Sequence, residues 1–312
     1  MPTYFQRLSD PIFLSRVRPK TLAVYKTALQ PFTDWALAQN LSLVDPPEWD
    51  DALLEFRYAH PKLTKSKFQT LIAALEFFVP TLRRKLDWSH TMVSAWARAM
   101  PVRHTVALTS KPGRLLAIHF VVRGWPRLAL GMLVQIATGL RPNEMLQLLS
   151  DHVILPEEQD VISAVPTIML VLGVRQGTKT RRMQMSTLPA GTHPLPEILA
   201  NCKRATPSGM YMFPYTLSDY RLRLKEVQAH LGIDLGYTPH SPRAGFATEA
   251  RLQGMSFEEI RENGRWLSDS SLRTYLDLVG ATAGLRTLRA RGMGPLLQAA
   301  DKQWPHYFGI SA

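Results

Sequence analysis

Apolar side chains return every three or four residues through most of this chain, and only across residues 161–188 does that period give way to alternation. A 3.6-residue period puts apolar groups on one stripe of a helix, whereas a period of two puts them on one face of a strand. A chain patterned this way is confined to packed helices around one small sheet. In the first third, Leu22, Tyr25, Ala28, Leu29, Phe32, Trp35 and Ala36 follow Pro19 and Thr21 at helical spacing, with Pro31 expected to kink or split the helix. Residues 49–59, 65–78 and 89–100 predict three more helices, carrying Leu53, Leu54 and Phe56, then Phe68, Ile72, Leu75 and Phe78, then Val93 and Trp96. Four short helices with aromatic stripes make a small bundle whose core those stripes fill.

The stretch PVRHTVALTSKPGR, residues 101–114, holds no period and contains Pro101, Ser110, Pro112 and Gly113. It predicts a linker at 105–114 between a helical domain at 1–104 and a second domain at 115–312. Helices resume at 115–122 and 127–138, Gly139 is a stop, and Arg141-Pro142 opens a helix over 143–149. The run Thr167 to Leu172 is β-rich, and Met183, Met185 and Leu188 lie on one side of an alternation beyond the turn residues Gly177-Thr178-Lys179, which predicts a hairpin. Helical patterns then cover 216–230, 242–252, 256–263 and 269–279. The fold class is mainly α with a small β-hairpin, an α+β arrangement.

Charge narrows the class of partner. The 312 residues hold 37 Lys+Arg against 25 Asp+Glu, a net of +12, and residues 1–111 carry 15 and 9 of these, so each half contributes +6. Two basic domains, rather than one basic tail, fit a clamp around a polyanion. In the first domain the run Arg83, Arg84, Lys85 and the scatter Lys62, Lys65, Lys67 are the candidate phosphate contacts. The single cysteine, Cys202, excludes an internal disulfide framework and a cysteine-based zinc site. No basic start precedes an apolar run, and the stretch 128–140 falls short of a membrane span, so an intracellular protein is expected, cytoplasmic in a prokaryote or virus and nuclear in a eukaryote.

Familiar catalytic signatures are missing. Thr178 separates Gly177 from Lys179, so there is no nucleotide-binding G-x-x-x-x-G-K-[ST], and neither H-E-x-x-H, G-x-S-x-G nor a spaced carboxylate cluster for two metals occurs. Chemistry on DNA would then need no metal and no nucleotide cofactor. It would need a nucleophile, cations to neutralise a pentavalent phosphate and an acid for the leaving oxygen. The second domain contains such groups: Arg141 with Glu144 in ATGLRPNEMLQLLSDH, Lys179 in QGTKTRR, His240 and Arg243 in TPHSPRAGFATEA, and Trp266 and Tyr275 in GRWLSDSSLRTYLD.

Their order carries a resemblance. T-G-L-R-x-x-E at 138–144, followed by Leu148 and Asp151, then a hairpin lysine, H-x-x-R at 240–243, G-x-[HW] at 264–266 and a tyrosine nine residues later resemble the catalytic domain of the tyrosine recombinases, the phage-integrase family. The start R-P-K-T-L-x-x-Y at 18–25 is similar to that family's core-binding domain.

The resemblance implies roles. Tyr275 attacks the scissile phosphorus to leave a 3′-phosphotyrosyl bond and a free 5′-hydroxyl. Arg141 and Arg243 hold the non-bridging oxygens, His240 bonds the phosphate or assists deprotonation of Tyr275, and Lys179 protonates the departing oxygen. Trp266 stands where many members have His; its indole donates one hydrogen bond and shuttles no proton. Glu144 and Asp151 support the site structurally. The implied partner is double-stranded DNA, with a homotetramer on paired sites. An inactive DNA-binding relative, and a type IB topoisomerase or telomere-resolvase-like enzyme, share these residues and stay open as alternatives.

Overall fold

The computed structural model describes residues 10–100, 105–159, 165–173, 183–189, 193–276 and 278–309. The chain divides into two compact units, Met1–Arg103 and His104–Ala312.

The first unit contains α1 (Pro11–Leu14), α2 (Pro19–Ala38), α3 (Pro46–Ala59), α4 (Lys65–Phe78) and α5 (Asp87–Ala99). Local chemistry fixes their starts. Pro19 and Pro46 stand in the first turns of α2 and α3, where a missing N–H costs nothing. The Glu48 carboxylate accepts from the backbone N–H groups of Val44 (2.7 Å) and Asp45 (3.0 Å). Asp50, 3% exposed, does the same across the bundle, accepting from Trp88 N–H at 2.8 Å and Ser89 N–H at 2.9 Å in the first turn of α5. The core is the expected aromatic stripe: Phe32 meets Phe56 edge-on at 5.4 Å, and Phe68, Leu71, Ile72 and Leu75 close it from α4. Pro31 does not split α2, which runs on to Ala38. Pro31 lies on the exposed side of that helix, so the carbonyl it leaves without an amide partner can turn to solvent.

The second unit holds α6 (Ser110–Val122), α7 (Pro126–Thr138), α8 (Pro142–Leu146), α9 (Leu195–Arg204), α10 (Leu217–His230), α11 (Ser241–Leu252), α12 (Phe257–Asn263), α13 (Asp269–Arg273), α14 (Leu278–Ala290) and α15 (Gly294–Gln303). Its sheet has three antiparallel strands in the order β1 (Val153–Ile154), β2 (Thr167–Leu172) and β3 (Gln184–Pro189), with Thr167 opposite Pro189 and Leu172 opposite Gln184. The turn between β2 and β3 lies outside the described residues, and Lys179 with it.

Two expectations are corrected here. Residues 105–109 are no free linker: Ala107 and Leu108 are buried in the second unit, and Leu108 N–H donates to the Ser241 carbonyl at 2.9 Å. Helix α6 then starts at Ser110, whose N–H and hydroxyl both bond the Glu249 carboxylate on α11. The period was hidden there because Pro112 and Gly113 sit inside the helix, both buried in packing. The expected helix over 269–279 stops at Arg273, and Tyr275 occupies the break before α14. Helices α1, α9, α14 and α15 and strand β1 lie outside the segments that the sequence pattern predicts.

The C-terminal segment packs within its own unit. Leu288, Met293, Leu297, Ala300 and Trp304 join the core built by α6 and α7, and Arg114 of α6 pairs with Asp301 of α15. Among the described residues, no helix is long and apolar enough to cross a membrane.

Candidate functional site

Helix α7 ends on Gly139 at φ +64°, a conformation that favours glycine, and a Cβ there would stand 2.6 Å from the Phe246 ring. The chain then places Arg141 at the N-cap of α8, with Pro142 next and Glu144 in the first turn. Arg141 donates three times: its backbone N–H to Glu144 Oε2 at 2.8 Å, Nη1 to Glu144 Oε1 at 2.6 Å, and Nη2 to the Arg265 carbonyl at 3.1 Å. Glu144 thus holds both the backbone N–H and the guanidinium of Arg141.

Helix α11 opens at Ser241 with His240, exposed, at its N-cap. Arg243 follows in the first turn and is 1% exposed. Its Nη1 donates to the Gly139 carbonyl and its Nη2 to the Gly264 carbonyl at 2.6 Å. Burial first, and then the like charge of Arg141, push its pKa down to about 9, so it remains a cation at neutral pH. A buried charge must be hydrogen-bonded to be tolerated, and here two carbonyls and an aromatic face share the work: its guanidinium carbon lies 3.9 Å from the Trp266 ring centroid and 5.7 Å from that of Tyr275.

The third wall is the segment after α12. Gly264 must lack a side chain, because a Cβ would fall 1.5 Å from the Trp266 ring. Trp266, 6% exposed, stacks on Phe246 with centroids 6.4 Å apart and planes 13° apart, and faces Tyr275 at 5.6 Å. Tyr275 is half-buried; its N–H bonds the Leu272 carbonyl at 2.8 Å and its carbonyl accepts from Thr248 Oγ1 at 3.5 Å. Three buried donors here, Arg243 Nε, Arg265 Nε and Trp266 Nε1, have no hydrogen-bond partner among the described residues. Such groups are rare in folded proteins and call for an acceptor.

Electrostatics favour an anion. Arg141, Arg243 and Arg265 surround one carboxylate, Glu144. Burial raises the cost of ionising Glu144, but Arg265 and then Arg141 outweigh it and hold the carboxyl below its ordinary pKa. The cluster therefore keeps a surplus of positive charge beside the Tyr275 ring.

Of the residues singled out in the sequence, Arg141, Glu144, Arg243, Trp266 and Tyr275 are brought together, and His240 lies one helical turn before Arg243. Asp151 is elsewhere: its carboxylate accepts from Ser208 Oγ at 3.1 Å and Gly209 N–H at 2.8 Å, bracing a surface turn. In the first unit Lys62 and Lys67 are exposed and, with Lys20, line a groove between α2 and α4. Lys65 is half-buried. Arg83, Arg84 and Lys85 are exposed on a separate turn, where Arg84 N–H donates to Glu76 Oε1 at 3.2 Å. Arg265 was missed as a site residue. Its signal was an arginine beside the glycine of the G-x-[HW] element, ordinary without the fold.

No family model matches the sequence, and no curated protein matches it. Solved structures do. The chain has the tyrosine recombinase fold. The XerH site-specific recombinase in a post-cleavage complex with palindromic difH substrate aligns at a TM-score of 0.57 and 13% identity, over 88% of this chain and 79% of that one. A lambda integrase dimer bound to a COC′ core site aligns at 0.56 and 17% identity, over 85% and 90%. The Tn1549 transposon integrase with a circular intermediate DNA aligns at 0.54 and 11%, over 86% and 99%.

Proposed function

We propose that the protein is a site-specific DNA recombinase that cleaves and rejoins double-stranded DNA through a 3′-phosphotyrosyl intermediate on Tyr275. One observation carries this reading: the buried cation Arg243, packed on Trp266 and near the Tyr275 ring, and the part-buried cation Arg141 are held by the adjacent carbonyls of Gly264 and Arg265, with Arg243 Nε and Trp266 Nε1 without partners among the described residues. A phosphodiester supplies the acceptors these donors require, and it gains charge as phosphorus becomes pentavalent.

In this mechanism the Tyr275 oxygen attacks phosphorus, its proton passing to solvent or to His240. The P–O5′ bond breaks, and Lys179 gives a proton to the departing oxygen. The guanidiniums of Arg141 and Arg243 and the Trp266 indole hold the non-bridging oxygens. Reversal by a new 5′-hydroxyl restores the diester, and because bond energy is kept in the phosphotyrosine, rejoining consumes no nucleotide. The bound DNAs named for XerH, lambda integrase and the Tn1549 integrase, and the lambda integrase tetramer on a Holliday junction, support duplex DNA and a tetramer on paired sites as partners.

Lys62, Lys65, Lys67, Arg83, Arg84 and Lys85 are proposed backbone contacts of the first unit, and such contacts make affinity fall steeply with salt. A binding site is selected from a random duplex pool and presented nicked, so that a cleaved fragment escapes. In EDTA the protein then yields a denaturant-resistant protein–DNA adduct. Tight binding with no adduct would favour the inactive DNA-binding alternative, and strand relaxation without exchange between two sites would favour the topoisomerase alternative.

A further inference from the structure

Arg265 holds a left-handed backbone at φ +57°, a region that penalises any side chain bearing a Cβ, and it does so at 9% exposure. A glycine would fit the turn without strain. Its side chain explains why an arginine is there. Arg265 Nη2 donates to Glu144 Oε2 at 3.2 Å and Nη1 to the Asn263 carbonyl at 3.1 Å, while the Arg265 carbonyl accepts from Arg141 Nη2 at 3.1 Å. With Arg141 Nη1 on Glu144 Oε1 at 2.6 Å, these contacts close a ring: Arg141 to Glu144, Glu144 to Arg265, and Arg265 back to Arg141. The carbonyl one residue earlier, at Gly264, holds Arg243. The left-handed turn therefore aims two consecutive carbonyls at two guanidiniums, and the Arg265 side chain ties that turn to helix α8.

We propose that Arg265 is a positioning residue that fixes the guanidinium of Arg141 for an anionic oxygen of the phosphodiester; this rests on the phosphotyrosyl reading above. The Arg265 side chain is 6% exposed and both terminal nitrogens are engaged within the protein, leaving Nε as its one buried donor without a partner among the described residues; its effect is assigned to Arg141 and not to a DNA contact. Glu144 is the hinge of the arrangement, since one carboxylate serves both arginines. Without Arg265 the carboxylate can swing fully to Arg141, and the carbonyl that held Arg141 Nη2 loses its anchor.

The test compares R265G, R265K, R141A and R141A/R265G for DNA affinity and for single-turnover adduct formation on a nicked site. R265G suits the backbone and deletes the side chain, so a folded protein is expected, checked by thermal melting. Adduct formation is expected to slow about 10- to 100-fold, as for other supports of a reacting group, while the binding midpoint stays within twofold of wild type. R265K, which keeps one donor toward Glu144, recovers part of that loss. In the R141A background R265G costs much less than in the wild type, because Arg265 acts chiefly through Arg141. Three outcomes overturn the proposal: R265G at the wild-type rate, an equal further loss in R141A/R265G, or weakened DNA binding with an unchanged rate of adduct formation at saturating DNA. Should R265G fail to fold, R265K decides alone: full wild-type activity rejects the two-donor ring, and a partial loss at unchanged affinity supports it. Absence of any adduct with the wild-type protein would instead sink the phosphotyrosyl reading itself.

Discussion

Arg243 and Trp266 form a buried cation–ring pair, 3.9 Å from guanidinium carbon to ring centroid. The ring stabilises a charge that has no carboxylate hydrogen-bonded to it among the described residues, and its indole N–H has no partner there. Trp266→Phe keeps an aromatic face against Phe246 while removing that N–H together with part of the ring area packed there. The fold should survive with a small change in melting temperature, and adduct formation should slow by about tenfold or more, as when one donor to a developing oxyanion is lost. Trp266→Ala empties a nearly buried site and should cost about 3–5 kcal/mol in urea unfolding.

Gly264 carries the Trp266 ring against its own Cα. Gly264→Ala would set a methyl group 1.5 Å from that ring, so the indole must move. The expected loss is about 1–3 kcal/mol of stability, accompanied by a change in near-ultraviolet circular dichroism from the displaced tryptophan.

In the first unit Asp50 ties α3 to the start of α5 through two backbone amides. Asp50→Ala leaves both donors without their acceptor and should destabilise that unit by about 1–3 kcal/mol. Amide exchange read at Trp88 and Ser89 should accelerate, while exchange in α7 and α11 stays as in the wild type.

Where the apolar period is long and unbroken the sequence declares its elements: the helix expected at 65–78 is α4, and the β-rich run at Thr167 to Leu172 is β2. The order of Arg141, His240, Arg243, Trp266 and Tyr275 exposed the candidate site for a different reason, since the residue types required at a phosphate are few. What stayed hidden depends on contacts distant in sequence. Helix α6 begins inside a stretch that reads as loop, because its first turn is held by Glu249, 139 residues away. Arg265 gains its meaning from Glu144, 121 residues earlier, and from a backbone angle no pattern of apolar residues reports.

Acid should loosen the same cluster. The folded-state pKa of Glu144 is lowered, so its ion pairs contribute fully above the ordinary carboxylate value of about 4.3 and are lost as pH falls through the lower, folded value. Glu144→Gln removes that linkage. Wild type should exceed E144Q in stability at pH 6–7, and the gap should shrink steadily below about pH 4.3, measured by denaturant unfolding across the series. A gap independent of pH would show that the carboxylate's charge contributes nothing.

The central claim is that Tyr275 becomes covalently joined to DNA. Digesting the adduct with protease and nuclease and sequencing the modified peptide by mass spectrometry identifies the residue and the linkage. The expected result is a nucleotide 3′-phosphate on Tyr275, a free 5′-hydroxyl on the released strand, and no adduct from Tyr275→Phe. An adduct that persists in Tyr275→Phe, or a nucleotide mapped to any other side chain, would contradict the account.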